Sequence, residues 1–311
     1  MQPRPAQKTP NITLLMPWLQ IILETDAATV DHISDGLFAV GAVSVTLQDA
    51  KEQPLYEPPL NSTPLWKRTL VVGLFKGDID RAQLQTQLQA MQAPYQIQTL
   101  EDQEWSRVWM DDFHPMQFGE RVWICPSWQT PPDPQAINIL LDPGLAFGTG
   151  THTTTALCLE WLDQQNDLSG KTLIDYGCGS GILAITAVKL GAARVWAVDN
   201  DPQALLATEE NAKKNEVETY VSPVLPEQLP DFKADGILAN ILAKPLTKLV
   251  PTFAAHLKTG APLLLSGILK EQCDNVIAAY APYFAVTEVV ERDNWMRIVA
   301  SKSTLSSMPL S

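Results

Sequence analysis

The chain has 311 residues, 45% of them hydrophobic, with 22 Lys and Arg against 35 Asp and Glu and a formal net charge of −13. That length exceeds one ordinary domain and that apolar content fills real cores, so a two-domain globular protein is expected and a disordered chain is excluded. The acidity argues against direct nucleic-acid binding, which draws its affinity from Lys and Arg on phosphates, and tolerates a basic partner better.

Cys125, Cys158, Cys178 and Cys273 lie far apart with no C-x-x-C pair, so neither a zinc site nor a redox dithiol is signalled and reduced thiols in a cytosol are expected. The longest apolar run, Ile12 to Leu23, is broken by Pro17 and Gln20. It is too short to span a bilayer, lacks a signal-peptide cleavage pattern, and reads as a buried first strand. No membrane association is predicted.

Residues 1–11 are polar and hold Pro3, Pro5 and Pro10, which suits a disordered leader over 1–15 or a start codon upstream of Met16. Period-two and helical spacing then predict a strand at Trp18–Glu24, a helix at Ala28–Val40 ending at Gly41, and a strand at Val43–Leu47. After a Pro-rich loop at Lys51–Thr63 come a strand in Leu65–Phe75, a helix at Asp80–Met91 and a strand at Tyr95–Leu100. The order is βαββαβ, the ferredoxin-like α+β pattern.

Glu101–Thr130 holds Trp105, Trp109, Phe113, Phe118, Trp123 and Trp128. It reads either as a helix and hairpin packing between domains or as a wall of a substrate cleft, and Pro131, Pro132 and Pro134 mark a boundary after it. Beyond that, strands at Ile137–Leu141, Thr172–Asp175, Arg194–Val198, Tyr220–Val224, Gly236–Ala239 and Pro262–Ser266 are spaced by helices. Those helices fall at His152–Gln164, Ile182–Leu190, Pro202–Asn215, Pro245–Leu257 and Lys270–Tyr280, and two strands close the chain. Such alternation predicts an α/β fold with a doubly wound, largely parallel sheet.

The strongest local signal is Leu173-Ile174-Asp175-Tyr176-Gly177-Cys178-Gly179-Ser180-Gly181, an apolar strand running into a glycine turn that opens a helix. In a parallel sheet that turn lies at the carboxyl end of a strand, where ligands bind, and glycines there let backbone approach a ligand closely. A dinucleotide fingerprint would need glycine at position 182, which is Ile182, so a ligand without a pyrophosphate is favoured. This also speaks against a nicotinamide-dependent oxidoreductase. The next strand ends in Asp199, placed to accept hydrogen bonds from both hydroxyls of a ribose. Asp201, just before Pro202, is the better helix cap.

Two further segments carry chemistry. The strand Ile237-Leu238-Ala239 ends in Asn240, whose amide carbonyl suits the positioning of an incoming amine, although an Asn also turns a chain before a helix. Leu141-Asp142-Pro143-Gly144-Leu145-Ala146-Phe147-Gly148-Thr149-Gly150-Thr151-His152 has the composition of a ligand-covering loop, and the threonines after it offer hydroxyls to cap the next helix.

The stretch 141–155, the turn Asp175–Gly181, the strand end Asn240-Ile241-Leu242-Ala243 and Phe113-His114-Pro115-Met116 together resemble the bacterial ribosomal protein L-eleven methyltransferases of the PrmA type. The likeness runs from about Met16 to Ser301. It implies a ferredoxin-like domain at 16–101 that holds the ribosomal protein, a linker helix and hairpin at 102–134, a class I (Rossmann-like) methyltransferase domain at 135–302 and a disordered tail at 303–311. The cofactor implied is S-adenosyl-L-methionine, held by Thr155, Gly177, Asp199 and Asn240 with the turn residues Asp175, Gly179 and Gly181. Thr153 departs from the family, which usually places Pro after the His.

The resemblance implies methyl transfer to lysine ε-amines and the N-terminal α-amine of ribosomal protein L-eleven, by a cytoplasmic monomer. The attacking amine must be neutral, and with ordinary pKa values of about 10.4 for lysine and about 7.7 to 8 for an α-amine, burial and the adjacent sulfonium lower that cost. His152 is the only histidine within these motifs and reads as a helix start, a loop-packing residue or a base. Phe147 either covers the donor or packs in a core. A non-catalytic binding module for the ribosomal protein is the competing reading of another class. A nucleic-acid adenine methyltransferase would carry Asn-Pro-Pro-aromatic where this chain has Asn240-Ile241-Leu242-Ala243.

Overall fold

The computed structural model describes residues 18–50, 65–91, 93–100, 113–142 and 152–303. The leader, the 51–63 loop, Trp105, Trp109 and Phe147 lie outside these. The chain divides into two compact units, residues 1–112 and 113–311.

In the first unit β1 (Trp18–Thr25), α1 (Val30–Ala39), β2 (Ser44–Asp49), β3 (Thr69–Lys76), α2 (Arg81–Ala90) and β4 (Tyr95–Leu100) follow one another as expected. Their strands pair antiparallel in the order β2-β3-β1-β4, which is the ferredoxin-like sheet. Alternate residues of β1, Leu19, Ile21 and Leu23, are buried, because successive side chains of a strand face opposite ways. They share a core with Val71, Phe75, Leu37, Leu84 and Leu88, and each such side chain taken from water contributes about 1.5–3 kcal/mol. Asp80 caps α2, its carboxylate accepting from the amides of Ala82 at 2.9 Å and Gln83 at 3.1 Å.

The second unit begins with a small sheet of β5 (Met116–Phe118), β6 (Val122–Cys125) and β7 (Ile137–Leu140). Phe118, Val122, Ile124 and Ile139 of these strands join one core with Leu159 and Leu162 of α3 (Thr153–Asp163) and Leu183 and Ile185 of α4 (Ile182–Lys189). The hairpin foreseen in the aromatic segment therefore packs into the core of this unit. The Asp163 carboxylate fixes its turn by accepting from the amides of Glu120 at 2.7 Å and Arg121 at 3.1 Å.

The main sheet comprises β8 (Thr172–Tyr176), β9 (Arg194–Val198), β10 (Val221–Val224), β11 (Gly236–Asn240), β12 (Pro262–Leu269), β13 (Phe284–Arg292) and β14 (Trp295–Lys302), in the order β10-β9-β8-β11-β12-β14-β13. The first five run parallel and β14 runs antiparallel to both its neighbours. Leu173 and Val195 face one core and Ile174 and Ile237 the other; burial on both faces is why these strands read as continuous apolar runs. From β8 the chain winds one way to β9 and β10 and the other way to β11 and β12. The carboxyl ends of β8, β9 and β11 thus meet at the switch point where open α/β sheets bind ligands.

Two helical expectations need correction. Residues 245–257 form α6 (Ala243–Lys248) and α7 (Val250–His256), not one helix. Pro251 has no amide to donate to the Thr247 carbonyl, and its ring crowds that group, so the helix breaks at Leu249 and restarts with Pro251 in the first turn. Likewise Lys270–Gln272 is a separate 3₁₀ turn ahead of α8 (Cys273–Tyr280). The helix after β9, α5 (Pro202–Lys214), is continuous.

Candidate active site

The turn after β8 is built on three glycines with positive φ: 80° at Gly177, 53° at Gly179 and 77° at Gly181, values that a side chain disfavours. The amides of Gly177 and Cys178 donate to the Val198 carbonyl at 2.7 and 3.1 Å, tying the turn to the end of β9. From α5, the Thr208 hydroxyl donates to the Gly179 carbonyl at 3.0 Å and the Asn211 amide to the Ser180 carbonyl at 2.9 Å. The turn is therefore held from two sides, and its amides are fixed in direction.

Asp199 follows β9, and its carboxylate accepts from the Gly179 amide at 3.0 Å and the Asp201 amide at 3.0 Å. Asp201 itself caps α5 by accepting from Gln203 at 2.9 Å, the division of labour that Pro202 suggested. Each carboxylate oxygen has two lone pairs, so Asp199 retains acceptor capacity beyond these bonds.

Asp175 lies in β8, two residues before the turn. It is 1% exposed, and one oxygen accepts from the Ala184 amide in the first turn of α4 at 3.0 Å. The other is buried without a partner among the described residues. Burial pushes its pKa up to about 7, and the Asp199 charge adds to the rise. Burial also pushes the nearby Cys158 thiol up to about 12 and raises Cys178; all four cysteines are free and buried, so they act as small apolar residues rather than nucleophiles. No group of metal-ligating side chains occurs among the described residues.

Asn240 closes β11. Its amide nitrogen donates to the Thr155 hydroxyl of α3 at 3.3 Å, and its carbonyl oxygen is buried with no partner among the described residues. A buried acceptor left unpaired costs about 1–3 kcal/mol, so a donor from outside the described residues is called for at this oxygen.

His152, rather than a threonine hydroxyl, caps α3. Its Nδ1 accepts from the Thr154 amide at 3.3 Å and lies 2.8 Å from the Thr154 hydroxyl. The ring packs edge-on to Trp295 with centroids 4.9 Å apart. Burial lowers its pKa, keeping the imidazole neutral so that a lone pair is available for the cap. Thr153 instead donates to Asp293 at 3.1 Å, in the turn between β13 and β14.

The structure thus links Gly177, Gly179, Gly181 and Asp199 through hydrogen bonds of the turn and the end of β9, holds Asp175 separately on the first turn of α4 and joins Asn240 to Thr155, with His152 at the head of the helix that carries Thr155. The sequence reading missed Thr208 and Asn211, which brace the turn, and the neighbourhood of Ser266 and Gly267 on β12. Ser266 pairs in register with Asn240, and Gly267 has φ of 82° at a register shift between β12 and β14. A lone glycine inside an apolar strand was the available signal of a bulge or close backbone approach.

A sheet in this order, with a glycine turn after β8 and an acid after β9, defines the class I methyltransferase fold. The profile of the family described as "Ribosomal protein L11 methyltransferase (PrmA)" matches residues 17–303, and the chain belongs to that family. It is 49% identical over 296 residues to the ribosomal protein L11 methyltransferase of Shewanella amazonensis, covering 93% of this chain and all of that protein. Against its counterpart from Marinobacter nauticus it is 50% identical, covering 92% and 99%. Among solved structures, ribosomal protein L11 methylase from Lactobacillus delbrueckii subsp. bulgaricus matches with a TM-score of 0.57 and 34% identity, over 61% of this chain and all of that one.

Proposed function

We propose that this enzyme transfers methyl groups from S-adenosyl-L-methionine to amines of ribosomal protein L11, the lysine ε-amines and the N-terminal α-amine. The observation that carries the reading is the unpartnered, buried carbonyl oxygen of Asn240, at the sheet edge shared with the glycine turn.

The residues fit the donor. The turn from Gly177 to Gly181 offers backbone amides held in direction by α5 and β9, and Asp199 keeps lone pairs for the two ribose hydroxyls. Thr155 holds the Asn240 amide so that its oxygen, not its nitrogen, is left to meet a donor group. Asp175, when ionised, offers negative charge beneath the turn. The donor, when bound, supplies a methyl group activated on a sulfonium.

Asn240 then accepts a hydrogen bond from the substrate amine and aims its lone pair, a contribution of orientation rather than of proton abstraction. The Nδ1 of His152 accepts from the Thr154 amide in the cap, so we assign His152 to the start of α3 rather than to proton abstraction. The amine arrives neutral because desolvation disfavours its charged form. We assign the covering of this site to Phe147 and its loop, capture of the ribosomal protein to the ferredoxin-like unit, and the working state to a cytoplasmic monomer. Among the described residues no helix is long and apolar enough to cross a membrane.

Intact-mass analysis of L11 before and after incubation with enzyme and donor tests this reading. Mass gains in steps of one methyl group are expected with the native chain and not with Asp199→Ala, which should stay folded and lose donor affinity by calorimetry. An unchanged L11 mass, or undiminished donor binding by the variant, refutes it.

A further inference from the structure

Gly177 and Gly267 both face Ile241, the residue after Asn240. A Cβ built on Gly177 would overlap Ile241 Cγ2, so this side chain occupies the space the glycine leaves empty. On Gly267 a Cβ would overlap the Ile241 carbonyl oxygen and come within 2.7 Å of its carbonyl carbon. Both glycines have positive φ. Ile241 is thus gripped at its side chain by the turn after β8 and at its backbone by the bulge of β12, while packing on the core that contains Ile174 and Ala239.

The glycine at 177 therefore serves a neighbour as well as a ligand. Interiors packed this closely do not deform continuously, so a shift of the turn presses on Ile241 and through one peptide unit on Asn240. We propose that Ile241 is a positioning residue that couples the glycine turn to Asn240, so that seating of the donor and aim of the amine-binding oxygen are set together. This rests on the reading of the two elements given above. Gly267 supports the same grip from the far side.

The test uses the full chain with four variants: Ile241→Ala, which removes Cγ2; Ile241→Val, which keeps it; Gly177→Ala; and the double variant Gly177→Ala/Ile241→Ala. Calorimetry with S-adenosyl-L-homocysteine gives affinity, and steady-state assays on L11 separate kcat from KM. Ile241→Ala is expected to weaken binding and lower kcat, each by about tenfold, and Ile241→Val to restore both. In the double variant the loss of affinity should be smaller than the product of the single losses, because the overlapping atom is gone.

A merely structural role for Ile241 would lower the melting temperature and leave KM and affinity unmoved; that result overturns the proposal, as do losses that simply multiply. Should Gly177→Ala fail to fold, the contrast between Ile241→Ala and Ile241→Val decides. A native chain that binds no S-adenosyl-L-homocysteine overturns this inference together with the proposed function. A native chain that binds and methylates, with Ile241→Ala unaffected, overturns this inference alone.

Discussion

Raising the pH through 7 should remove a proton from Asp175 and weaken the fold, and Asp175→Asn should abolish that response. The carboxyl group is fully buried and its pKa rises from the ordinary 3.8 to about 7, chiefly through loss of hydration. At about 1.4 kcal/mol for each tenfold change, the charged form costs roughly 4 kcal/mol more in the folded chain than in the unfolded one. The sign follows from proton uptake: between about pH 4 and pH 7 the folded state holds a proton that the unfolded state has lost. Stability is thus fully favoured below the lower value, falls across this window and levels above the upper one. His152 works in the opposite sense, because a lowered imidazole pKa gives stability that grows as pH rises towards its ordinary value. Subtracting the Asp175→Asn curve from the native curve cancels His152 and isolates the carboxyl group. Scanning calorimetry from pH 4.5 to 8 should show the melting temperature of the native chain falling relative to the variant by on the order of 10 °C. Parallel curves would refute the assignment of a neutral Asp175. On the proposed function the same proton links to the donor: a cationic donor bound at the glycine turn would favour the ionised form of Asp175, so affinity for S-adenosyl-L-methionine should rise with pH up to about 7, with proton release detectable in buffers of different ionisation enthalpy.

Asn240→Ala should lower kcat by about a hundredfold through lost aim of the amine, with donor affinity changed far less; equal losses in both would show that Asn240 serves donor binding instead. Asp163→Ala leaves the amides of Glu120 and Arg121 without their acceptor and should destabilise the second unit by roughly 2–4 kcal/mol, read from urea denaturation, with kcat per folded molecule preserved. A midpoint unchanged by that substitution would mean the hairpin turn is held elsewhere.

What sequence made legible follows from which interactions are local. Strands β8, β9 and β11 are buried on both faces, so their apolar runs stop where the sheet stops, and Asp199 and Asn240 could be placed at strand ends by counting. Pro202 fixes the first turn of α5, which assigned the cap to Asp201 and left Asp199 for another task. The misreading of 245–257 was local too: Pro251 was available as a helix breaker, but the apolar spacing across it is continuous, because α6 and α7 pack Leu246, Val250 and Phe253 into one core. The start of α3 at His152 was legible, but not which side chain caps it. Thr153, Thr154 and Thr155 all have better capping chemistry on paper. The choice is made by Trp295 and Asp293, which reach α3 from the distant hairpin of β13 and β14 and take up the imidazole ring and the Thr153 hydroxyl. The approach of Gly267 to Ile241 depends in turn on the β11–β12 register, which places Ser266 opposite Asn240. Glycines at 177 and 267 look alike as letters; only that register shows that both are required by one isoleucine, and that a turn read as a ligand cradle is also a socket for the strand beside it.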